Sequence, residues 1–384
     1  MIFLNNKYDI IFIGAGLSNS LIALNLFKKK LKIIIIVSNN NLISNHTWSF
    51  FDNNIIKNKD NYINKIIYNK WDNYTIKFPN YIKNFKNNYF CIKSNNFFKY
   101  FKKIFKNKIL LNTNIIKYNK NFVQLNNGII LNCNLIIDGR GYYPKKNKKI
   151  GLQIFLGQEW VFKKPHNLIN PIIMDSTVCQ KKSFHFIYII PFSKYKLLIE
   201  DTHYINNNIL KINLLRKNIF KYIKGKKWII KKLIKEEQGI IPIKLKNNKN
   251  KIFKNIILNG LNGNFYHSIT GYSLYLFLIL SNNILKINNL NYKKILNEFN
   301  YLSKNIYKNQ KQYILLNKVF FLLISLNKRY KLIQKFYNFP ETLINRFYLE
   351  KINFFDKIKI ILLNPPISYF KILCFLIINY FYLK

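Results

Sequence analysis

The chain has 384 residues, in which 63 lysines and arginines outnumber 15 aspartates and glutamates, giving a formal net charge of +48. Such a charge is typical of nucleic-acid binders, but only four basic residues are arginines, the type that usually recognises phosphates and base edges. The lysines are scattered among Asn, Ile, Phe and Tyr, whose codons are rich in A and T. The composition therefore indicates an AT-rich genome and argues against a nucleic-acid partner.

Hydrophobic residues make up 49% of the chain, enough for a sizeable core and two closely joined lobes. Runs of Asn and Lys at residues 53–64 and 247–255 are expected to be solvated loops. The four cysteines have no metal-ligand or CxxC spacing, which predicts reduced thiols and a cytoplasmic chain. The five histidines form no HxxxH or HxH pattern, so we expect no metal.

The first element is a β-α-β unit. Residues 8–13 read as a buried strand, residues 14–19 as a glycine turn, the stretch to about residue 29 as a helix, and residues 33–37 as a second strand. Gly14 permits the tight turn, and Gly16 allows the backbone to approach a pyrophosphate at the helix N-terminus. The unit therefore predicts dinucleotide binding.

Two positions depart from the usual dinucleotide pattern. Asn19 replaces the third glycine, which predicts slightly looser packing between helix and strand. Val37-Ser38-Asn39 stand where a ribose-binding acid is expected, leaving Ser38 as a weaker partner. We therefore expect cofactor binding to rely more on backbone contacts than is usual.

Later glycines cluster where backbone geometry is demanding. Residues 135–141 read as a strand entering a tight turn, and residues 255–273 as a strand, a glycine-bearing loop and a helix start. At the C-terminus, residues 367–383 are apolar and aromatic but contain Lys371 and follow Pro365-Pro366. This segment is too short for a spanning helix of about 20 residues. It reads either as a packed terminal helix or as an amphipathic segment at a membrane surface.

A series of short motifs resembles the bacterial lycopene β-cyclase family, in family order and over nearly the whole chain. They are NHTWSF (45–50), YFCI (89–92), DGRGY (138–142), GQEW (157–160), PIIMD (171–175), LIEDTHY (198–204), EEQG (236–239), TGYS (270–273), FYNFPE (336–341) and NPP (364–366).

The resemblance implies an α/β fold with a Rossmann-type FAD-binding domain of the two-dinucleotide-binding flavoprotein superfamily, an inserted β-rich substrate domain and a helical C-terminal region. The expected boundaries are residues 1–150 with 250–285, residues 151–249 and residues 286–384. FAD would contact the turns named above, although Leu261-Asn262 stand where an aspartate commonly binds the ribityl chain. The expected cofactor residues are Gly14, Ala15, Gly16, Leu17, Ser18, Asn19, Ser38, Asp138, Gly139, Gly260, Asn262 and Gly271.

The resemblance further implies a carotenoid-biosynthesis isomerase. It would cyclise the ends of lycopene to β-ionone rings, through γ-carotene to β-carotene, without net redox change but with reduced FAD and NAD(P)H as reductant. Because lycopene dissolves in bilayers, the resemblance also implies peripheral association with the membrane. The alternative from the glycine motifs is a flavin-dependent reductase or hydroxylase that acts on an isoprenoid.

Ring closure requires a carboxylic acid that donates a proton, and negative or π density around a carbocation. Glu200-Asp201 follow an apolar strand and match the acidic motif, so we expect Glu200 to be the acid/base and Asp201 a supporting charge. Asp175 is the next candidate, although it also reads as a turn-initiating residue. Glu159 and the Glu236-Glu237 pair rank lower, because a double carboxylate among lysines is usually a solvated salt-bridge site.

Overall fold

The computed structural model describes residues 7–27, 29–42, 45–51, 63–141, 151–206, 210–246 and 256–363, together with residues 368, 370, 371 and 374. Most of the predicted loop at 53–64, the loop at 247–255, Pro365-Pro366 and most of the segment at 367–383 lie outside these residues. Within them, no helix combines the length and apolar character needed to cross a membrane.

A seven-stranded sheet forms the first layer, in the order β8-β2-β1-β11-β10-β9, with β17 also pairing with β11. Its central strands are parallel and consist almost entirely of buried isoleucine, leucine and phenylalanine, as expected for strands covered on both faces. The elements of this layer are β1 (Tyr8–Ile13), α1 (Leu17–Leu26), β2 (Ile33–Ile36), α3 (Ser94–Phe105), β8 (Ile109–Leu110), β9 (Ile115–Tyr118), β10 (Phe122–Leu125), β11 (Ile130–Asp138), β17 (Ile256–Leu258) and α5 (Leu274–Leu285).

A second seven-stranded sheet is inserted between β11 and β17, in the order β16-β12-β15-β14-β13-β5-β6. Strands β5 and β6 come from the part of the chain predicted as the first lobe, so the pairing crosses the boundary expected at residue 150. Helix α4 covers one face of this sheet. Its elements are β5 (Tyr74–Phe78), β6 (Tyr81–Phe85), β12 (Gly151–Phe162), β13 (Ile172–Asp175), β14 (Phe184–Ser193), β15 (Lys196–Asn206), α4 (Ile212–Gly225) and β16 (Ile230–Ile243).

A three-stranded sheet and a helical region complete the fold. The small sheet has the order β3-β7-β4 and lies beside the inner face of the second sheet, which is the face away from α4. The C-terminal helices pack on that inner face. These elements are β3 (Thr47–Phe51), α2 (Ile63–Ile66), β4 (Asn69–Trp71), β7 (Tyr89–Lys93), α6 (Tyr292–Lys318), a π-helical turn (Val319–Leu323), a 3₁₀ turn (Leu326–Lys328), α7 (Arg329–Tyr337), α8 (Glu341–Tyr348) and α9 (Phe354–Ile361).

Asn19 joins three strand ends of the first layer. Its side-chain amide donates to the carbonyls of Ile13 (3.0 Å), Gly14 (2.8 Å) and Ile137 (3.3 Å), and its carbonyl oxygen accepts from Asn259 Nδ2 at 2.8 Å. Gly139 leaves the room for it, because a Cβ there would lie 2.5 Å from Asn19 Nδ2. The expectation of looser packing at Asn19 is therefore wrong: the residue is 1% exposed and fixes the glycine turn to its neighbours.

We expect Asn19→Ala to lower the free energy of unfolding by about 2 kcal/mol, because buried carbonyls lose their donor. Urea unfolding of the purified protein measures this loss. Asn39→Ala, at an exposed asparagine after β2, is the control and should change stability by less than about 0.5 kcal/mol. Equal stabilities for the two variants would show that Asn19 does not hold the strand ends.

Candidate active site

A row of four residues crosses the inner face of the second sheet. The register aligns Glu237 of β16 with Gly157 of β12, Gly157 with Glu200 of β15, and Glu200 with Tyr188 of β14. Residues directly opposite each other on neighbouring strands share one face. Because Gly157 has no side chain, the position between the carboxyl groups of Glu237 and Glu200 is open. The phenol of Tyr188 lies on the other side of Glu200.

Glu200 is a neutral acid near physiological pH. Burial raises the pKa of its carboxyl to about 8, and the charge of Glu237 and, to a smaller extent, that of Asp201 add to this rise. A hydrogen bond from the Thr202 hydroxyl to Glu200 Oε1, at 2.7 Å, opposes it. A buried carboxyl with a pKa near the working pH is suited to donate a proton and take it back.

Asp201 lies on the opposite face, because successive side chains of a strand point to opposite sides. It is fully buried against α4 and accepts hydrogen bonds from Asn218 Nδ2 (2.8 Å), His203 Nε2 (3.1 Å) and His185 Nε2. Although burial raises its pKa, the two histidines lower it to about 2. The expectation that Glu200-Asp201 end a strand is wrong, since β15 continues to Asn206.

Asp175 shares the face and the row of Asp201, because both residues pair with Ile187. Its Oδ1 accepts the backbone N–H of Thr177 at 3.1 Å, and its Oδ2 accepts the Tyr222 hydroxyl at 2.6 Å. Asp175 is thus the turn-initiating residue that was the alternative interpretation. The predicted catalytic group of Glu200, Asp201 and Asp175 is divided by the sheet, and only Glu200 faces the inner side.

The spacing of the histidines in the sequence did not predict that two of them lie next to Asp201. The rings of His185 and His203 stack with centroids 4.0 Å apart, and their Nε2 atoms flank the Asp201 carboxylate. His185 Nδ1 faces the Cys179 carbonyl at 3.1 Å. Ser183 Oγ, 2.7 Å from His203 Nδ1, satisfies the other ring. These hydrogen bonds give each nitrogen a partner, and the absence of a metal remains a prediction.

A cluster of buried tyrosines surrounds the inner side of Glu200. The Tyr89 hydroxyl lies 2.9 Å from the hydroxyls of Tyr188 and Tyr272, and Tyr188 donates to Ser49 Oγ at 2.7 Å. Burial raises the pKa of all three phenols, so they are neutral. Their hydroxyls bond to one another, and their rings pack within the hydrophobic core beneath the C-terminal helices.

An apolar cavity lies between the inner face of this sheet and the C-terminal helices. Tyr204 lines the cavity and lies on the same strand and the same face as Glu200. The two residues are four positions apart, which is about 13 Å along the strand at 3.3 Å per residue. The remaining walls are almost entirely aliphatic and aromatic. The lining residues include Phe184 and Met174 from the sheet, and Leu316, Phe320, Phe336 and Tyr348 from the helical region.

Glu159 is held by lysines rather than free for chemistry. Burial raises its pKa, but Lys196 (2.6 Å) and Lys93 (3.0 Å) lower it more, and Lys235 lies 3.8 Å away. The Lys93 ammonium also sits 3.8 Å from the centre of the Phe192 ring. This agrees with the lower rank that the sequence gave to Glu159.

The turn after β1 has the shape that a pyrophosphate requires. Gly14 has φ +81°, and Cβ atoms at Gly14 and Gly16 would lie 3.5 and 3.6 Å from the Gly139 carbonyl. Gly16 precedes α1 without a side-chain cap, and the first turn of α1 contains no acid. The expected set of Gly14, Ala15, Gly16, Leu17 and Ser18 thus fits an anion at a helix N-terminus.

The remaining expected cofactor residues gather near this turn or are already bonded. Gly260, at φ +63°, contacts Ser18, and Asn262 Nδ2 donates to the carbonyls of Arg140 (2.9 Å) and Gly141 (3.1 Å). Asp138 is buried and paired with Arg140 at 2.6 Å.

Three further expected cofactor residues have these positions. Ser38 is exposed at the end of β2. Gly271 has φ +74° and adjoins Ile241 of the second sheet. Asn19 is buried, as described above.

Glu237 is the residue that the sequence analysis underrated. It was grouped with Glu236 as a solvated pair, yet only Glu236 fits that description, pairing with Arg216 of α4 at 2.6 Å. Glu237 faces inward and is 6% exposed. The signal was present in the long strand pattern, because a two-residue period places adjacent glutamates on opposite faces.

Comparisons with known proteins show which family the chain resembles. A family profile described as lycopene cyclase protein matches residues 9–374. Lycopene beta-cyclase of Pantoea ananas is 34% identical over 94% of this chain and 95% of its own length, and that of Pseudescherichia vulneris is 31% identical over 94% of each.

Solved structures show a similar fold at low sequence identity. A geranylgeranyl bacteriochlorophyll reductase-like protein from Thermoplasma acidophilum superposes with a TM-score of 0.63 at 14% identity, covering 97% of this chain and 98% of its own. A probable FAD-dependent monooxygenase from Pseudomonas aeruginosa gives a TM-score of 0.60 at 10% identity, covering 85% and 98%. The expected fold class, a Rossmann-type flavoprotein fold with an inserted sheet and a helical C-terminal region, is confirmed.

We expect Asp201→Asn to lower the free energy of unfolding at pH 7 by about 1–3 kcal/mol, because buried donors from Asn218, His185 and His203 lose a carboxylate acceptor. Since the pKa of Asp201 is depressed on folding, its contribution is present above about pH 4 and is lost as the pH falls toward 2. Urea unfolding at several pH values measures both effects. Asp72→Asn, at an exposed aspartate paired with Lys70, is the control. A loss no larger than that of the control would contradict the role of Asp201 as the acceptor of these hydrogen bonds.

We expect Glu200→Gln to stabilise the protein more at pH 8 than at pH 5. The pKa of Glu200 is raised on folding, so the native state retains a proton that the unfolded chain releases, and wild-type stability falls as the pH rises from about 4 toward 8. The difference between variant and wild type should grow by at least about 1.4 kcal/mol, the equivalent of one pKa unit. Thermal unfolding at the two pH values tests this, and a constant difference would argue against the raised pKa.

Proposed function

The chain belongs to the lycopene cyclase family, and we propose that it is a lycopene β-cyclase that closes the ends of lycopene to β-ionone rings. The resemblance found in the sequence is thereby confirmed, and the family is one of cyclising enzymes. What supports the specific reaction is the position of Glu200: a neutral carboxyl on the sheet face that also borders an apolar cavity.

The proposed reaction begins with the Glu200 proton. It passes to the terminal double bond of lycopene, and the electrons of that bond form the new C–H bond and leave a tertiary carbocation. The neighbouring alkene attacks the cation and closes the ring, and loss of one proton from the ring gives the β-ionone double bond. One proton enters and one leaves, so the product is an isomer of the substrate. The Glu200 carboxylate would take the proton back.

The surroundings of Glu200 favour this chemistry over capture of the cation by water. The ring of Tyr188, opposite Glu200 in the register, would present π density to a cation, and its hydroxyl is held by Tyr89 and Ser49. The cavity walls are almost entirely apolar and would favour a hydrocarbon chain over water. After proton transfer, the carboxylate of Glu200 would add negative charge on the same face.

FAD is the cofactor that we propose for the turn after β1. The backbone of Gly14, Ala15, Gly16, Leu17 and Ser18 would hold the pyrophosphate, and Ser38, Gly139, Gly260, Asn262 and Gly271 would supply further contacts to the cofactor. Asn19 and Asp138 would position these turns rather than contact the cofactor. In its reduced form, generated by NAD(P)H, FAD would supply negative charge that favours the carbocation.

The substrate requires contact with a membrane, because lycopene is a hydrocarbon carried in the bilayer. We propose a cytoplasmic enzyme that associates peripherally with the membrane surface. The lysine excess would favour anionic headgroups.

We expect the chain to convert lycopene to β-carotene when it is expressed in lycopene-accumulating bacteria. Glu200→Gln should lower the conversion at least about 100-fold, since it removes the proton donor, while Glu298→Gln on α6 should retain it. Chromatography of the pigments is the measurement. A predominance of γ-carotene would show that one end is cyclised.

The result that contradicts the proposal is persistence of lycopene in cells that contain folded, flavin-bound protein. In that case a flavin-dependent reductase or hydroxylase acting on an isoprenoid becomes the better assignment. Net oxidation of the flavin by an isoprenoid substrate would then be measurable.

A further inference from the structure

Glu237 is anchored to a different part of the fold from Glu200. Its Oε2 accepts the backbone N–H of Thr47 at 2.8 Å and lies 3.5 Å from His46 Nδ1, and both residues belong to the start of β3 in the small sheet. The side chain of His46 is 44% exposed, whereas that of Glu237 is 3% exposed. The carboxylate is therefore fixed at a junction between two sheets.

The second oxygen of Glu237 is directed toward the Glu200 side. Oε1 is buried and has no hydrogen-bond partner among the residues that the structure describes. It lies 3.3 Å from the position that a Cβ of residue 157 would occupy, and Gly157 separates Glu237 from Glu200 in the register. A buried carboxylate oxygen without a donor is costly, so its retention beside a second carboxyl indicates a use.

We propose that Glu237 is a positioning residue for the cyclisation, a fixed negative charge that keeps the proton on Glu200 until the substrate alkene accepts it. The inference rests on the proposed function and adds a residue to it. Two carboxyls that share a site cannot both ionise easily. Glu237 accepts the Thr47 N–H and lies near the Lys235 ammonium, which favours the negative charge on Glu237. Among the described residues, Thr202 alone donates to Glu200, so Glu200 keeps the proton.

Other charged groups lie near Glu200 and Glu237 and also act on the two carboxyls. Lys235, two residues before Glu237 on the same face, attracts its charge and lies 3.8 Å from Glu159. His46 approaches from β3, and Asp201 acts on Glu200 from behind the sheet. The tyrosines on the inner face are neutral. Among these groups, Glu237 is the larger charge contribution to the pKa of Glu200, ahead of Asp201.

The test is the pH profile of cyclisation by the purified, flavin-loaded enzyme with lycopene in vesicles. Without the Glu237 charge, Glu200 should lose its proton at lower pH. We expect Glu237→Gln to move the alkaline limb of the profile down by about one pH unit, with activity at pH 6 within about threefold of wild type. Glu236→Gln, the adjacent glutamate on the α4 face, should leave the profile unchanged.

A second variant tests the same idea without removing a carboxyl. In Gly157→Ala the new Cβ would lie 3.1 Å from Glu237 Cγ and 3.3 Å from Leu198 Cδ1, so the Glu237 side chain must move. We expect the alkaline limb of the Gly157→Ala profile to lie at a different pH from that of the wild type. This variant keeps the proposal testable even if Glu237→Gln fails to fold.

The outcomes separate the two proposals. If the wild-type enzyme leaves lycopene unchanged, the proposed function fails. If the wild type cyclises lycopene and Glu200→Gln does not, but the Glu237→Gln and Gly157→Ala profiles keep the wild-type alkaline limb, only the role of Glu237 is overturned. A uniform loss of activity at every pH would likewise assign Glu237 a purely structural role.

Discussion

The alternation of side chains along β15 is the constraint on which the site depends. It sends Glu200 toward the apolar interior beneath the C-terminal helices and Asp201 into the layer under α4, one residue apart. The two carboxyls therefore meet opposite environments, and their pKa values move apart, to about 8 and about 2. Helix α4 reinforces the division, since Asn218 and Tyr222, one helical turn apart, bind Asp201 and Asp175 from the same side.

Local sequence patterns were sufficient for the nucleotide-binding part of the fold. The strand at Tyr8–Ile13, its glycine turn and helix, and the strand ending at Asp138 are each determined by contiguous residues, and each was predicted. Asn19 shows where such reasoning stops. Its hydrogen bonds to Ile137 and Asn259 join segments more than one hundred residues apart. For that reason the local pattern predicted looser packing at Asn19, whereas the side chain in fact stabilises the contact between the strand ends.

The inner site depends on pairings that no local pattern specifies. Glu200 could be chosen from its motif, but the strand was expected to end there, and Asp175 and Asp201 were expected to join it. Register between β12, β15 and β16 decides that Glu237 is the neighbour of Glu200, and register between β14 and β15 brings His185 to Asp201. These registers result from packing on both faces of the sheet, which the sequence of one strand does not contain.

The position of Gly157 between two glutamates limits which mutations of its codon the site can tolerate. Glycine codons begin with two guanines, and the composition of the chain indicates steady substitution toward A and T. A single such change at the first or second codon position of residue 157 gives Ser, Asp, Arg, Glu, Cys, Val or Trp, or a stop codon. Every replacement residue would add a side chain between the two glutamates, and four of them would add a polar or charged group. The position is thus one where mutational pressure and the geometry of the site are directly opposed.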